Sequence, residues 1–209
     1  MIMKTLLTLI LVAFNSSAPM NGQTNSVPPT IETIVCIRHG EKPKDGLGQL
    51  TCRGLNRALA LPGVLLGKYG TPQFIFAPNT TQKEDAKGTY NYVRPLMTIE
   101  PTAIRCGLPV NTQFSYKEIK GLENELDQPP YKSATIFIAW EHTLLDDFVR
   151  DEVQKYAGDP KQVPTWPGKD YDSIFVLKIT RAEGQASVVF TIGHEDLNGL
   201  GDDCPGQRK

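Results

Sequence analysis

Ile31-Glu-Thr-Ile-Val-Cys-Ile37, followed at once by Arg38-His39-Gly40-Glu41, is the stretch on which the reading of this chain turns. A nearly continuous apolar run reads as a central strand covered on both faces. Its carboxyl end delivers an arginine, a histidine and a glycine to one rigid place. The glycine lets a ligand approach the backbone, and arginine offers a planar fork matched to phosphate oxygens. A neutral imidazole beside it can attack phosphorus if its other nitrogen is held by a hydrogen bond.

Working outward, the chain alternates strands and helices. Thr51 is placed to cap a helix over Cys52–Gly67, with Leu55, Leu59, Val64 and Leu65 inward and Arg53, Asn56 and Arg57 partly outward. Gln73–Ala77 reads as a second strand and Pro78–Gly88 as a polar loop. Pro95 suits the first turn of a helix and puts Arg94 at its mouth. Residues 115–127 carry Tyr116, Ile119, Leu122 and Leu126 at helical spacing. Ala134–Trp140 is another buried strand and runs into Glu141-His142. Thr143 and Asp146 have capping-box spacing for a helix over Leu144–Tyr156, with Leu145, Phe148, Val149, Val153 and Tyr156 as its buried stripe. Ser173–Thr180 and Ser187–Ile192 read as a closing strand pair that turns at Ala182–Gly184. Tyr90, Tyr92, Tyr116 and Trp140 suit core packing and can also line a pocket. This order predicts an α/β domain over residues 31–209, a three-layer α/β/α sandwich with a mainly parallel mixed sheet. Ligands bind such sheets at the carboxyl ends of the strands, where both Arg38-His39 and Glu141-His142 lie.

The first residues read differently. Lys4 precedes the apolar stretch Thr5–Phe14, and Asn15-Ser-Ser-Ala18 supplies small residues. That is the pattern of a signal peptide over residues 1–22, with residues 23–30 as a flexible lead-in. An uncleaved anchor is the alternative reading. Cleavage predicts a secreted or periplasmic protein with no membrane contact afterwards. Four cysteines then remain, Cys36, Cys52, Cys106 and Cys204, in a compartment where disulfides persist. Three full pairings are possible. Cys36 fits a buried thiol, and Cys106 with Cys204, both in loop-like segments, is the pair expected to tie down the C-terminus. Their spacings do not match a zinc site. Twenty-two basic residues against 23 acidic ones leave a net charge of −1, so no basic field exists to collect nucleic acid.

Arg38-His39-Gly40-Glu41 after a buried strand resembles the histidine phosphatase superfamily, which includes the cofactor-dependent phosphoglycerate mutases. Leu50-Thr51-Cys-Arg-Gly54 resembles the stretch that opens their first helix, and Arg94-Pro-Leu-Met-Thr98 resembles the arginine helix start after their second strand. The resemblance covers nearly all of residues 31–192. It implies a phosphoglycerate mutase-like fold and His39 as a nucleophile that becomes phosphohistidine. It also implies Arg38, Arg94 and His142 as phosphoryl ligands, with no cofactor and no metal. The substrate is then a small phosphorylated molecule, and export argues for hydrolysis over a mutase reaction.

The proton donor fits less well. The mutase-like branch uses a glutamate between the second arginine and second histidine, an interval holding Glu118 and Glu123. The acid phosphatase branch uses an aspartate after the second histidine, where this chain has Thr143. Glu141 and Glu118 therefore stand as the two candidate acids. The segment 78–90 departs from the family's short link and is placed to shape a pocket. The rivals are a non-catalytic module that binds a phosphate or sulfate ligand in the same pocket, and a metal-dependent hydrolase, which no ligand spacing supports.

Overall fold

A computed structural model describes residues 28–85 and 88–206. The leader expected over residues 1–22, and the lead-in up to residue 27, lie outside the described residues. Among those described, no helix is long and apolar enough to cross a membrane.

The main sheet has six strands. They are β1 (Thr30–Arg38), β2 (Phe74–Phe76), β5 (Val110–Asn111), β6 (Thr135–Trp140), β7 (Ser173–Ala182) and β8 (Gln185–His194), in the order β5-β2-β6-β1-β7-β8. The four from β5 to β1 run parallel, and β7 and β8 close the sheet antiparallel. Along β1 the side chains alternate between two cores. Val35 and Ile37 pack under α1 (Cys52–Tyr69) and α2 (Arg94–Cys106), with Leu61, Leu65, Ile99 and Ala103. Ile34 and Cys36 pack on the other face under α3 (Ile119–Leu126) and α4 (His142–Lys155), with Leu122, Leu145, Phe148 and Val149. Both faces are covered, which is why β1 lacks the polar–apolar alternation of a half-exposed strand. The result is the three-layer α/β sandwich that the alternation of elements predicts.

Several expectations are corrected, and Leu59, expected inward on α1, is exposed. The polar loop expected over residues 78–88 is a hairpin, β3 (Gln82–Asp85) paired with β4 (Gly88–Asn91). The helix expected from Leu144 starts at His142, and its cap is the Glu141 side chain, which accepts from Leu144 N at 3.1 Å. Asp146 caps nothing and instead accepts from Trp166 N at 2.9 Å.

The disulfide joins Cys52 to Cys204, not Cys106 to Cys204, and leaves Cys36 and Cys106 as free thiols. It fastens the tail to α1, where Asn56 Nδ2 also donates to Gly201 O (3.1 Å) and Asp203 O (2.8 Å). Arg57, expected outward, is wholly buried beneath that tail. Its guanidinium meets Glu41 at 2.8 Å and Glu195 at 2.5 Å, with Asp172 at 3.6 Å.

Candidate active site

Parallel pairing of β1 with β6 sets Arg38 beside Trp140 and ends both strands together. His39 N donates to Trp140 O at 3.1 Å, so the residues that follow both strands share one rim. The loop after His39 is held from two sides. Gly40 N donates to Thr98 Oγ1 at 2.9 Å, and that hydroxyl donates to Arg94 O at 2.8 Å, so α2 carries Arg94 to the same rim. On the other side α1 presses against the loop. A β-carbon on Gly40 would sit 3.0 Å from Gly54 O, and one on Gly54 would sit 2.5 Å from Glu41 O. The two glycines let backbone touch backbone there.

His39 is buried, and its Nδ1 lies 2.8 Å from Gly40 O. A carbonyl oxygen only accepts, so Nδ1 carries the hydrogen and Nε2 keeps the bare lone pair. Burial, followed by the charges of Arg94 and Arg38, holds the imidazole pKa well below 6.5 despite the Gly40 hydrogen bond. The ring is thus neutral and fixed in one tautomer, with the Nε2 lone pair outward from that bond.

Arg38 is 2% exposed. Its Nη1 donates to Gly168 O (3.0 Å) and Asp170 O (2.8 Å), and its Cζ lies 4.0 Å from the centre of the Tyr171 ring. Arg94 is 1% exposed and bonds weakly through Nη1 to Gly46 O (3.3 Å) and through Nη2 to Tyr90 Oη (3.4 Å). In both arginines the Nε–H is buried with no hydrogen-bond partner among the described residues. Buried polar groups are almost always paired, and a buried guanidinium N–H left open beside a neutral imidazole is suited to an anion.

His142 opens α4, where backbone N–H groups and the helix dipole favour negative charge. Its Nδ1 lies 2.7 Å from Glu141 Oε1, close enough for an ion pair but off the line of a hydrogen bond. Burial pushes Glu141 up, yet the His142 contact, the Leu144 N–H and Lys83 outweigh it and hold the carboxyl down at about 2. The Glu141 charge is felt by Arg38 and His39, so it belongs to the same field.

Glu118 is placed differently. It is exposed, it precedes α3, and its Oε2 accepts from Ser115 N at 2.8 Å. It makes no hydrogen bond or ion pair with Arg38, His39, Arg94 or His142. The structure therefore gathers Arg38, His39, Arg94, Glu141 and His142, and leaves Glu118 outside their contacts. His194 is exposed and faces Asp172 at 3.7 Å.

Two contributors escaped the sequence reading. Tyr171 stacks on Arg38 from a loop with no motif. Lys83, on β3, lies 4.7 Å from the ring centres of both Tyr92 and Tyr116. Aromatic spacing at residues 90, 92 and 116 was the available signal for the second, but nothing local tied it to Lys83. Among the described residues no group of three His, Cys, Asp or Glu is arranged to hold a metal ion.

No protein-family model and no curated protein sequence matches the chain. Solved structures do. Mycobacterial glucosyl-3-phosphoglycerate phosphatase superposes with a TM-score of 0.54 at 14% identity, covering 78% of this chain and 97% of the other. Phosphoglycerate mutase from Plasmodium falciparum gives 0.52 at 13% identity, over 86% and 98%. SixA from Nakamurella multipartitia gives 0.51 at 16% identity, over 78% and 96%. The chain shares the phosphoglycerate mutase-like fold of these structures.

Proposed function

We propose that the protein is a phosphomonoesterase that works without a metal, through a phosphohistidine on His39. One observation carries the reading: two buried guanidinium Nε–H groups, on Arg38 and Arg94, stand unpaired beside a buried imidazole whose Nε2 is free to attack. Phosphoryl transfer is catalysed largely by positioning and charge, and these residues supply both.

In the first step His39 Nε2 forms a bond to phosphorus and the ester P–O bond breaks. Arg38, Arg94 and His142 hold the phosphoryl oxygens. The leaving oxygen needs a proton, and Glu141 is the carboxylate whose charge reaches the site. It is ionised before substrate binds, its pKa being held down at about 2. A bound phosphoryl group repels that charge and raises its pKa, and a monoester, with a second ionisation near roughly 6, brings the proton. In the second step the Glu141 carboxylate takes a proton from water. The hydroxide attacks phosphorus, and the N–P bond breaks with its electron pair returning to Nε2. The products are an alcohol and inorganic phosphate.

The leader-like residues 1–22 and the Cys52–Cys204 bridge support export to a secreted or periplasmic location, since disulfides persist in oxidising compartments. A small phosphorylated molecule is the substrate class.

The purified protein is expected to hydrolyse para-nitrophenyl phosphate at an unchanged rate when EDTA is added. Saturable phosphate binding with no turnover across pH 4–8 would mean a binding module of the same fold, and loss of turnover in EDTA would mean a metal enzyme.

The acid is tested separately. Glu141→Gln is expected to slow an alkyl phosphate about 10²–10⁴-fold, and an activated aryl phosphate far less, because its leaving group needs little help. Glu118→Gln is expected to leave both rates near wild type. Intact alkyl turnover in Glu141→Gln would remove Glu141 from this role.

A further inference from the structure

Tyr92 is wholly buried, and its hydroxyl has no hydrogen-bond partner among the described residues. Leaving a buried hydroxyl unpaired is costly and uncommon. The surroundings of this one are specific. The Tyr92 ring meets His39 edge-on, with centroids 6.0 Å apart and planes at 87°. The Arg94 guanidinium carbon lies 4.8 Å from its centre and the Lys83 ammonium 4.7 Å. The phenol also lies in the fields of Glu141 and Arg38. Among the described residues, the open Nε–H groups of Arg38 and Arg94 are further unpaired buried polar atoms at this site.

A phenol hydroxyl can fill a place that neither arginine nor carboxylate can. It is a neutral donor with a fixed reach, positioned by a ring that is itself packed against Tyr116 at 5.2 Å. Burial raises its pKa, so it keeps its proton wherever the enzyme works. We propose that Tyr92 is a further substrate-binding residue, its hydroxyl donating a hydrogen bond to a non-bridging oxygen of the phosphoryl group held beside His39. No proton leaves the phenol. The role rests on the phosphoryl-transfer reading above and adds a ligand to it.

Tyr92→Phe separates this role from a packing role, because phenylalanine keeps the ring and removes only the orphan hydroxyl. Three measurements are made on the full chain: the affinity for inorganic phosphate, the affinity for orthovanadate, and the melting temperature. Both anions are expected to bind about 10–100-fold more weakly, as for loss of a hydrogen bond to a charged acceptor. The melting temperature is expected to hold or rise by about 2–4 °C, since a buried unpaired group has been deleted. Unchanged affinity for both anions would overturn the proposal, whatever the melting temperature does, and would leave Tyr92 as a structural residue. A wild-type protein that binds neither anion would instead remove the phosphoryl site itself, and this role with it.

Discussion

His39→Ala is expected to reduce phosphate-ester turnover on the order of 10⁴-fold or more, the loss that follows removal of a nucleophile that no neighbour replaces. The structure offers no substitute. His142 is engaged by Glu141 at 2.7 Å, and His194 is exposed and faces Asp172. The fold is expected to survive, because the loop is held by Gly40 N on Thr98 Oγ1 and by His39 N on Trp140 O, and neither bond uses the imidazole. Two observations make the result specific to a phosphohistidine. Rapid quenching of wild type with labelled substrate is expected to trap acid-labile phosphate on His39. Nuclear magnetic resonance of the imidazoles is expected to show His39 neutral, with hydrogen on Nδ1, from pH 8 down past 6.5, since burial and two arginines hold its pKa well below that value. A His39 resonance that titrates near 6.5 would contradict the buried neutral nucleophile. Residual turnover within tenfold of wild type would contradict the mechanism.

The parts of this site that sequence made legible share one property: their determinants are local. β1 is an apolar run that ends at Arg38-His39, and β6 repeats the arrangement with Trp140, Glu141 and His142. Parallel pairing then joins two ends that periodicity alone had located. Thr51 was legible as a cap for the same reason, its hydroxyl accepting from Gly54 N at 3.1 Å. The α4 start was missed because threonine is the stronger capping residue by preference. Here the glutamate one residue before the helix takes the position, and that also turns it toward His142. The β3–β4 hairpin was missed because Gln82–Asp85 is polar throughout and shows no period of two. It is an exposed ribbon apart from the main sheet, so no core face imprints alternation on it.

Arg57 and the disulfide were illegible for a different reason. The face of α1 carrying Cys52, Arg53, Asn56 and Arg57 reads as solvated because nothing nearby in sequence covers it. Its cover is the segment after β8, more than a hundred residues later. Glu195 and Asn198 reach Arg57, Gly201 and Asp203 reach Asn56, and Cys204 closes on Cys52. A helical pattern reports which face differs from the rest, and a polar tail can bury a polar face without changing that pattern.

That cover sets up the second large effect. Arg57→Met is expected to destabilise the protein by about 3–5 kcal/mol, because the substitution strands buried carboxylates rather than merely deleting a pair. Arg57 is wholly buried and Glu195 is 1% exposed. Burial pushes the Glu195 carboxyl up, and Arg57 is the charge that pulls it back down. Without the guanidinium, Glu195, Glu41 and Asp172 face one another with no shared counter-charge. At roughly 2–4 °C per kcal/mol for a chain of this size, the melting temperature falls by about 6–20 °C, measured with the Cys52–Cys204 bridge intact. A loss below about 1 kcal/mol would mean that the cluster behaves as an exposed pair. The double variant Arg57→Met with Glu195→Gln is expected to recover part of the loss, since it removes the most deeply buried of the carboxyls left without Arg57. Equal stability of single and double variants would place the cost in packing instead. Arg57 makes no hydrogen bond or ion pair with Arg38, His39, Arg94 or His142, but Glu41 does bear on the site: its carbonyl accepts from Thr51 N at 2.9 Å and holds the start of α1 against the loop after His39. The stability loss is therefore expected to carry a smaller loss of turnover with it, one that appears as the temperature approaches the lowered midpoint and is absent well below it.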